Sequence, residues 1–360
     1  MNFPIYLLLA AVLGAFAANV VMLPFLIRLS HKKEWYDEVN HRKIHEGNIP
    51  RLGGFGIFFS FTIGTIIFFL IRRFFYPDLP AAKALDLWPL FAGLLFIHTL
   101  GLVDDFKNVK PLVKVAVQVA AAGIVVAFGS PILHVDVPDL GISFSLGPAG
   151  YVLTLLWIIG MSNAMNLVDG LDGLAGGITA IAAFFIGLVA LLQKNYTAAG
   201  MGFVLFGGVV GFLVFNFPPA KLFMGDSGSL FLGFYLAVLP FTGSQVPSKT
   251  TVLLAVTITM CAIPILDTLA AVLRRMRAKK PFYSPDKAHL HHKFLDLGLS
   301  SRGILLVVYS ICIVFGGVCL VSVLFEHLLF LFLVPVVWAA AILLFLVMDV
   351  VYRKHRERTG

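Results

Sequence analysis

The sequence predicts an all-α polytopic membrane protein, and three observations carry that prediction. Hydrophobic residues make up 59% of the chain and charged residues 13%, whereas a soluble domain has roughly 45–50% and 25%. Apolar runs of about twenty residues, the length that crosses a hydrocarbon core, follow one another along almost the whole chain. Lysines and arginines collect in alternate connections between these runs. The formal net charge of +8 is therefore assigned to membrane topology, and no nucleic acid is expected as a partner.

Eleven segments are candidates for spanning helices, and ten is the alternative number because two of them are weak. Segment 88–103 is short, and segment 149–166 ends in polar residues. The first segment is too long for a signal-peptide core and lacks a basic start, so we expect it to be a retained span. The candidates are 3–29, 53–75, 88–103, 112–129, 149–166, 174–193, 198–216, 229–246, 250–273, 304–325 and 329–351.

The positive charges predict that the N-terminus lies outside and the C-terminus inside. With this orientation the inner connections hold 22 lysines and arginines and the outer connections hold five. Such an excess is typical of the cytoplasmic side of a membrane protein. The outer connection 130–148 alternates apolar and polar residues around turn formers, which predicts a short periplasmic β-hairpin. Residues 1–360 are interpreted as a single integral membrane domain.

Polar and ionisable residues gather in the connections that this orientation places inside. Such groups near membrane depth are costly, so they are hypotheses of function by default. The orientation rests on lysine and arginine alone, and the arrival of the acids at the same face is an independent indication of one site. The inner connections expected to form it are 30–52, 104–114, 167–173, 217–228 and 274–303. The residues are Asp104, Asp105, Asn163, Asn166, Asp169, Asp172, Asp226, Asp267, His289, His291 and His292.

The chemistry of these residues points to a metal and to phosphates. Carboxylate and amide oxygens suit Mg²⁺, which proteins hold through one or two carboxylates and the phosphates of a substrate. Lys107, Lys110 and Lys114 follow the aspartate pair and are suited to holding phosphate charge. The pattern predicts a magnesium-dependent enzyme, with Mn²⁺ able to substitute, that stabilises charge during phosphoryl transfer.

Other interpretations remain open at this point. The aspartate pair alone is also typical of helix capping, and the histidines alone of a solvated loop. Gly225-Asp226-Ser227-Gly228 fits an intramembrane serine protease with His98 as base, although proteolysis leaves the acid clusters unexplained. An ion-coupled transporter would instead place its acids near mid-bilayer on broken helices.

Five motifs in this order resemble those of the polyprenyl-phosphate N-acetylhexosamine-1-phosphate transferases, a family that includes the MraY, WecA and TagO types. The resemblance runs from about residue 41 to residue 300. The His-Leu-His-His form of the last motif resembles the WecA and TagO branch, which uses UDP-N-acetylglucosamine and has eleven spans. The motifs are His45–Gly54, Asp104-Asp105, Asn163–Gly173, Phe223–Ser229 and Pro285–His292.

The resemblance implies a reaction at the cytoplasmic face of a bacterial inner membrane. Undecaprenyl or another polyprenyl phosphate attacks the β-phosphorus of UDP-N-acetylglucosamine, and UMP leaves. The lipid diphosphate-sugar is then the first membrane intermediate of an envelope polysaccharide such as O-antigen or teichoic acid. The alternative within the family is transfer from UDP-MurNAc-pentapeptide in peptidoglycan synthesis. A homodimer is expected by the same analogy.

The resemblance also implies roles for individual residues. Asp226 is expected to be the principal Mg²⁺ ligand with Asn166 as the second, and Asp104 and Asp105 are expected to act with Asp226 in catalysis. Phe223 and Asp172 would hold the uracil. The full set of expected substrate contacts is Arg51, Lys114, Asn163, Asp169, Asp172, Phe223, His289, His291 and His292.

Direct in-line attack is the expected mechanism. A phosphate monoester has a second pKa near 6, so the lipid phosphate is largely a dianion at about pH 7 and scarcely needs a general base. A covalent phospho-aspartate route is the alternative. Some relatives carry a third acid after the aspartate pair, but Phe106 and Lys107 stand there in this chain.

Overall fold

The computed structural model describes most of the chain, and that part is almost entirely helical. The described residues are 5–36, 49–79, 82, 84–129, 131–137, 141–243, 246–281, 286, 288–325 and 327–359. The helices are α1 (Ile5–Lys33), α2 (Gly53–Phe75), α3 (Trp88–Lys107), α4 (Pro111–Phe128), α5 (Pro148–Val168), α6 (Leu174–Leu192), α7 (Tyr196–Asn216), α8 (Asp226–Val238), α9 (Pro247–Met260), α10 (Ala262–Arg277), α11 (Leu290–Asp296), α12 (Ser301–Leu324) and α13 (His327–Thr359). Two short 3₁₀ segments, Ala84–Leu87 and Leu239–Phe241, and two strands complete these elements.

Nine helices in the described ranges are long and apolar enough to cross a membrane, which confirms the predicted fold class. They are α1 to α7, α12 and α13. Both segments that are weak in the sequence belong to this group, because α3 has 20 residues and α5 has 21. The polar residues at the end of α5 continue the helix instead of interrupting it.

The other two predicted spans take forms that hydropathy does not predict. Segment 250–273 is split into α9 and α10, whose axes differ by 66°. Pro264 explains the break, because it has no N–H to donate to the Met260 carbonyl and its ring crowds that carbonyl. In the described part of segment 229–246, the helical structure consists of the last ten residues of the 13-residue α8 and the 3₁₀ turn that follows it.

Helix α8 lies at the centre of the bundle, with every residue from Ser227 to Val238 buried. Small residues let the neighbouring helices reach its backbone. A Cβ atom on Gly54 of α2 or on Gly101 of α3 would collide with the first turn of α8, and one on Gly233 would collide with α5. Small residues at helix interfaces allow this close approach within membranes. Helices α2, α3 and α5 therefore hold α8 in place.

The predicted β-hairpin is present in the described residues. Strands β1 (His134–Val137) and β2 (Ile142–Ser145) pair antiparallel, with His134 opposite Ser145 and Val137 opposite Ile142. The backbone N–H of Asp136 donates to the Thr251 hydroxyl at 3.1 Å, which ties the hairpin to α9. Residues 138–140, which complete the predicted hairpin, lie outside the described residues.

We predict that Gly207→Ala in α7 destabilises the bundle by about 1–3 kcal/mol, the usual cost of overpacking. A Cβ atom there would collide with the backbone carbonyl of Val12 in α1, and backbone yields less readily than a side chain. Thermal unfolding in detergent measures the effect. Gly123→Ala in α4 is the matched control, since nothing lies within 4 Å of its added Cβ. Equal melting temperatures for the two variants would contradict the packing argument.

Candidate active site

The N-terminus of α8 is capped by a carboxylate from another helix. Asp105, near the end of α3, accepts hydrogen bonds from the backbone N–H groups of Asp226 at 2.7 Å and of Ser227 at 3.1 Å. Gly225 precedes the helix at φ 71°, and a Cβ there would lie 2.6 Å from Asp105 Oδ2. A negative charge at a helix N-terminus is stabilising. Asp105 thus determines where the Asp226 side chain projects.

Lys114 joins two of the three catalytic candidates. Its Nζ lies 2.9 Å from Asp226 Oδ2 and also forms an ion pair with Asp104. The other oxygen of Asp104 accepts the Val109 N–H at 2.6 Å, which folds the α3–α4 connection back toward α3. Asp226 is 29% exposed, whereas Asp104 is 8% exposed. Two carboxylates and one ammonium group leave a net negative charge in this cluster. A cation can bind at its accessible end.

The end of α5 brings two more predicted residues to the same place. The Asn166 amide donates to the Ser229 hydroxyl at 2.9 Å, one turn into α8. Asp169 follows directly after α5, and its carboxyl pKa is raised well above its usual range. Burial is the largest cause, followed by the negative charges of Asp226, Asp105 and Asp172, while Arg51 acts in the opposite direction. Residues from four separate parts of the chain therefore share one electrostatic environment.

Two predicted nucleotide contacts lie on different connections that hydrogen bonds join, Asp172 between α5 and α6 and Phe223 between α7 and α8. Asp172 Oδ2 accepts the Ala220 N–H at 3.1 Å. The Phe223 N–H donates to the Pro50 carbonyl at 2.8 Å, and the Phe223 carbonyl accepts the Gly53 N–H at 2.9 Å. This short backbone pairing places the segment that contains Arg51 alongside Phe223 and Gly225.

The histidines reach the site from α11 and the residue before it. Asp267 of α10 lies 2.9 Å from His289 Nδ1 and accepts the Leu290 N–H at 3.0 Å. The His291 ring abuts Gly170, since its Nε2 lies 2.6 Å from the position of an added Cβ. Burial, and after it the charge of His292, lowers the pKa of His291 to about 4. His291 is therefore neutral near pH 7, and its buried Nε2 has no partner among the described residues.

Not every predicted site residue belongs to this cluster. Asn163 pairs with Gln118 of α4, its amide donating at 2.9 Å, so it links two helices. Residues 45–48 of the first motif, together with Pro285 and Lys287 of the last, lie outside the described residues. Sequence reasoning missed Ser229 and Gln118, for which it had no charge signal. The sequence did indicate Asp267 as a candidate, because it is a lone acid inside an apolar segment.

The geometry does not support a serine protease. Ser227 is fully buried. His98 Nδ1 lies 3.2 Å from the Ser227 backbone carbonyl, and the ring stacks on Phe58 at 4.2 Å between centroids. His98 therefore contacts the main chain, and a peptide substrate has no access to the Ser227 hydroxyl.

The donor set fits magnesium bound together with a substrate. Among the described residues, no group of three or more His, Cys, Asp or Glu side chains is arranged to hold a metal alone. Mg²⁺ seldom needs such a cage, because it keeps several waters and uses one or two carboxylates with substrate phosphates. The accessible carboxylate of Asp226 suits this mode. So does the side chain of Asn166 at the end of α5, whose amide contacts Ser229 in the first turn of α8.

Comparison with known proteins identifies relatives of this chain. The family described as glycosyl transferase family 4 matches residues 87–244. A Bacillus subtilis protein named "Probable undecaprenyl-phosphate N-acetylglucosaminyl 1-phosphate transferase" is 35% identical over 82% of this chain and 80% of its own.

Two further relatives carry similar names. The "Undecaprenyl-phosphate alpha-N-acetylglucosaminyl 1-phosphate transferase" of Escherichia coli K12 is 30% identical over 81% of this chain and 77% of its own. The "Decaprenyl-phosphate N-acetylglucosaminephosphotransferase" of Mycobacterium tuberculosis H37Rv is 35% identical over 74% of this chain and 70% of its own.

We predict that Asp105→Asn lowers the free energy of unfolding by about 1–3 kcal/mol, the cost of leaving a buried donor unsatisfied. The amide has one acceptor oxygen for two N–H groups, and its NH₂ would face the second donor. Thermal unfolding in detergent checks this. Asp136→Asn on β1 is the control, because no hydrogen bond is recorded for its side chain within the described ranges, and we expect a change below about 0.5 kcal/mol. Indistinguishable stabilities would show that the cap contributes nothing.

Proposed function

Because the chain belongs to the polyprenyl-phosphate N-acetylglucosamine-1-phosphate transferases of glycosyl transferase family 4, we propose that it transfers N-acetylglucosamine 1-phosphate from UDP-N-acetylglucosamine to undecaprenyl phosphate. The observation that carries the proposal is the cluster at the first turn of α8. There, Lys114 contacts both Asp226 and Asp104, and Asn166 contacts Ser229. The cluster offers oxygen ligands and a cation side by side, as a diphosphate substrate with a metal requires.

The nucleotide end of the substrate is assigned to the connection between α7 and α8. Phe223 stacks on the uracil, and backbone pairing with Pro50 and Gly53 holds its connection in place. Asp172, on the connection between α5 and α6, contacts the Ala220 N–H and accepts a hydrogen bond from the uracil. Arg51 is placed beside this connection and close enough to Asp169 to influence its charge. We assign Arg51 and Lys114 to the phosphates and the three histidines to the diphosphate and sugar.

Asp226 and Asn166 would hold Mg²⁺, which when bound neutralises charge on the diphosphate as UMP departs. Asp104 and Asp105 are less suited to covalent chemistry. Both oxygens of Asp105 accept N–H groups of α8, and those of Asp104 contact Val109 and Lys114. These contacts favour a positioning role for the pair over a phospho-aspartate intermediate.

Direct attack by the lipid phosphate follows from this assignment. An oxygen of the phosphate dianion forms a bond to the β-phosphorus. The bond from that phosphorus to the bridging oxygen breaks, and UMP leaves with the electron pair. Lys114 lies where it can hold phosphate charge while these bonds exchange. No proton has to be removed from the attacking group, so the site needs no general base.

We place the reaction at the cytoplasmic face of a bacterial plasma membrane, in a multi-pass protein. The 22-to-5 distribution of lysine and arginine supports this side. N-acetylglucosamine is favoured over UDP-MurNAc-pentapeptide because the relatives described above are named for it. The homodimer expected from the resemblance stays a prediction.

The proposal is tested by incubating purified protein with undecaprenyl phosphate, Mg²⁺ and a panel of UDP-sugars, and measuring UMP release. We expect release with UDP-N-acetylglucosamine and its loss on adding EDTA. Folded protein that releases no UMP with any N-acetylhexosamine nucleotide would overturn the proposal.

Asp226→Asn is predicted to reduce the rate in this assay at least about a hundredfold, as expected when charge stabilisation at the transferring phosphoryl group is lost. Ser227→Ala is the matched control on the adjacent residue. It keeps the backbone N–H bonded to Asp105, so we expect it to retain most of the activity. A near-normal rate for Asp226→Asn would contradict the metal assignment.

We predict that the site faces the inside of the cell, and cysteine labelling of intact cells measures this. The starting variant has Cys261, Cys312 and Cys319 replaced by alanine. Lys110 beside the site and Ser143 on the hairpin are both exposed. Ser143→Cys should react with an impermeant maleimide added outside, and Lys110→Cys should react only after permeabilisation. The opposite pattern would place the site outside.

A further inference from the structure

Asp267 is a buried carboxylate whose contacts all serve the histidine segment. It is 2% exposed and lies in the first half of α10. One oxygen faces His289 Nδ1 at 2.9 Å, and the other accepts the Leu290 N–H at 3.0 Å. A carboxylate in such a place is costly unless it is paired and hydrogen-bonded. These two contacts engage both of its oxygens, and its burial keeps a substrate from reaching them.

The histidines of the motif are in different electrostatic surroundings. His289 Nδ1 faces the Asp267 carboxylate at 2.9 Å. His291, stacked on His289 with 6.0 Å between ring centroids, is kept neutral near pH 7 by burial and by the charge of His292. Asp286 lies close enough to feel the charge of His289, and Arg274 pairs with Asp286 at 2.7 Å. Asp267 contacts the His289 ring of this motif directly.

The contact also determines which ring nitrogen of His289 is available. An ionised carboxylate only accepts hydrogen bonds, so Nδ1 must carry a proton. Nε2 is the nitrogen left for a ligand. The His289 ring runs nearly parallel to His291, which abuts Gly170 beside Asp169. The two rings therefore extend from α10 toward the acid cluster.

We propose that Asp267 is a positioning residue for the reaction: it keeps the proton on Nδ1 of His289 and orients the ring, so that Nε2 faces the diphosphate of the nucleotide sugar and donates to it when protonated. The inference rests on the proposed function, and it assigns to a residue of α10 a part in substrate binding through another side chain. Charge-assisted hydrogen bonds to phosphate oxygens are stronger than neutral ones. Loss of the Asp267 charge should therefore weaken binding of the nucleotide sugar without removing any group that touches it.

Asp267→Asn tests this with little change of shape. If its amide oxygen keeps the Leu290 N–H, its NH₂ faces His289 Nδ1, and that contact is favourable only when the ring is neutral with Nδ1 unprotonated. We expect the KM for UDP-N-acetylglucosamine to rise more than kcat falls. The alkaline limb of kcat/KM should move about one pH unit or more to lower pH, the usual effect of removing an adjacent opposite charge. A profile that superimposes on that of the wild type would overturn the inference.

Asp349→Asn is the matched control. Asp349 of α13 pairs with Lys293 of α11 at 2.9 Å, so this variant loosens the same short helix without touching His289. It should lower kcat/KM equally at all pH values. A limb that moves as far as in Asp267→Asn would show that Asp267 acts only by anchoring the helix.

His289→Gln supplies a second test that does not depend on the folding of the Asp267 variant. It should abolish the alkaline limb, and a limb that persists would overturn the inference. The wild-type protein separates the two proposals. If it releases no UMP, the proposed function fails and the inference fails with it, whereas an active wild type with an unmoved limb in Asp267→Asn overturns only the role of Asp267.

Discussion

The site depends on the pair of hydrogen bonds between the Asp105 carboxylate and the first two N–H groups of α8. A helix that begins inside a bundle leaves donors that must be satisfied. Here a neighbouring helix supplies the acceptor, and Gly225 makes room for it. The first turn of α8 is thereby held against the end of α3. The direction of the Asp226 side chain depends on that contact. The contacts that other groups make with Asp226 depend on it too.

Charge balance governs the remainder of the cluster. Asp104, Asp105, Asp169 and Asp226 bring four carboxyl groups together, and Lys114 offsets part of their charge. The crowding is visible in the raised pKa of Asp169, which burial and the neighbouring acids cause. Such a concentration of acids is costly without a cation and useful with one, because a bound divalent metal would offset part of their negative charge. The unfavourable electrostatics of the protein alone are thus consistent with a site that binds a metal.

Glycine and proline determine the architecture that supports this cluster. Gly54, Gly101 and Gly233 remove the side chains that would separate α2, α3 and α5 from α8. Pro264 breaks the segment after Met260, and α10 leaves the axis of α9 at 66°. The break directs Asp267 toward the histidine segment. These glycine and proline residues take no part in the chemistry, but they determine which reactive side chains come together.

The sequence by itself determined the membrane class, most of the spans, the hairpin and the identity of the acids. Those properties depend on hydropathy, charge and local pattern, which are read along the chain. The short length of α8, the break before α10, the Asp105 cap and the pairing of Asn163 with Gln118 came only from the tertiary structure. Each of these depends on contacts between residues far apart in sequence, such as the 121 positions between Asp105 and Asp226. Local pattern carries no information on such distances, because close packing and hydrogen-bond satisfaction are decided by the whole bundle.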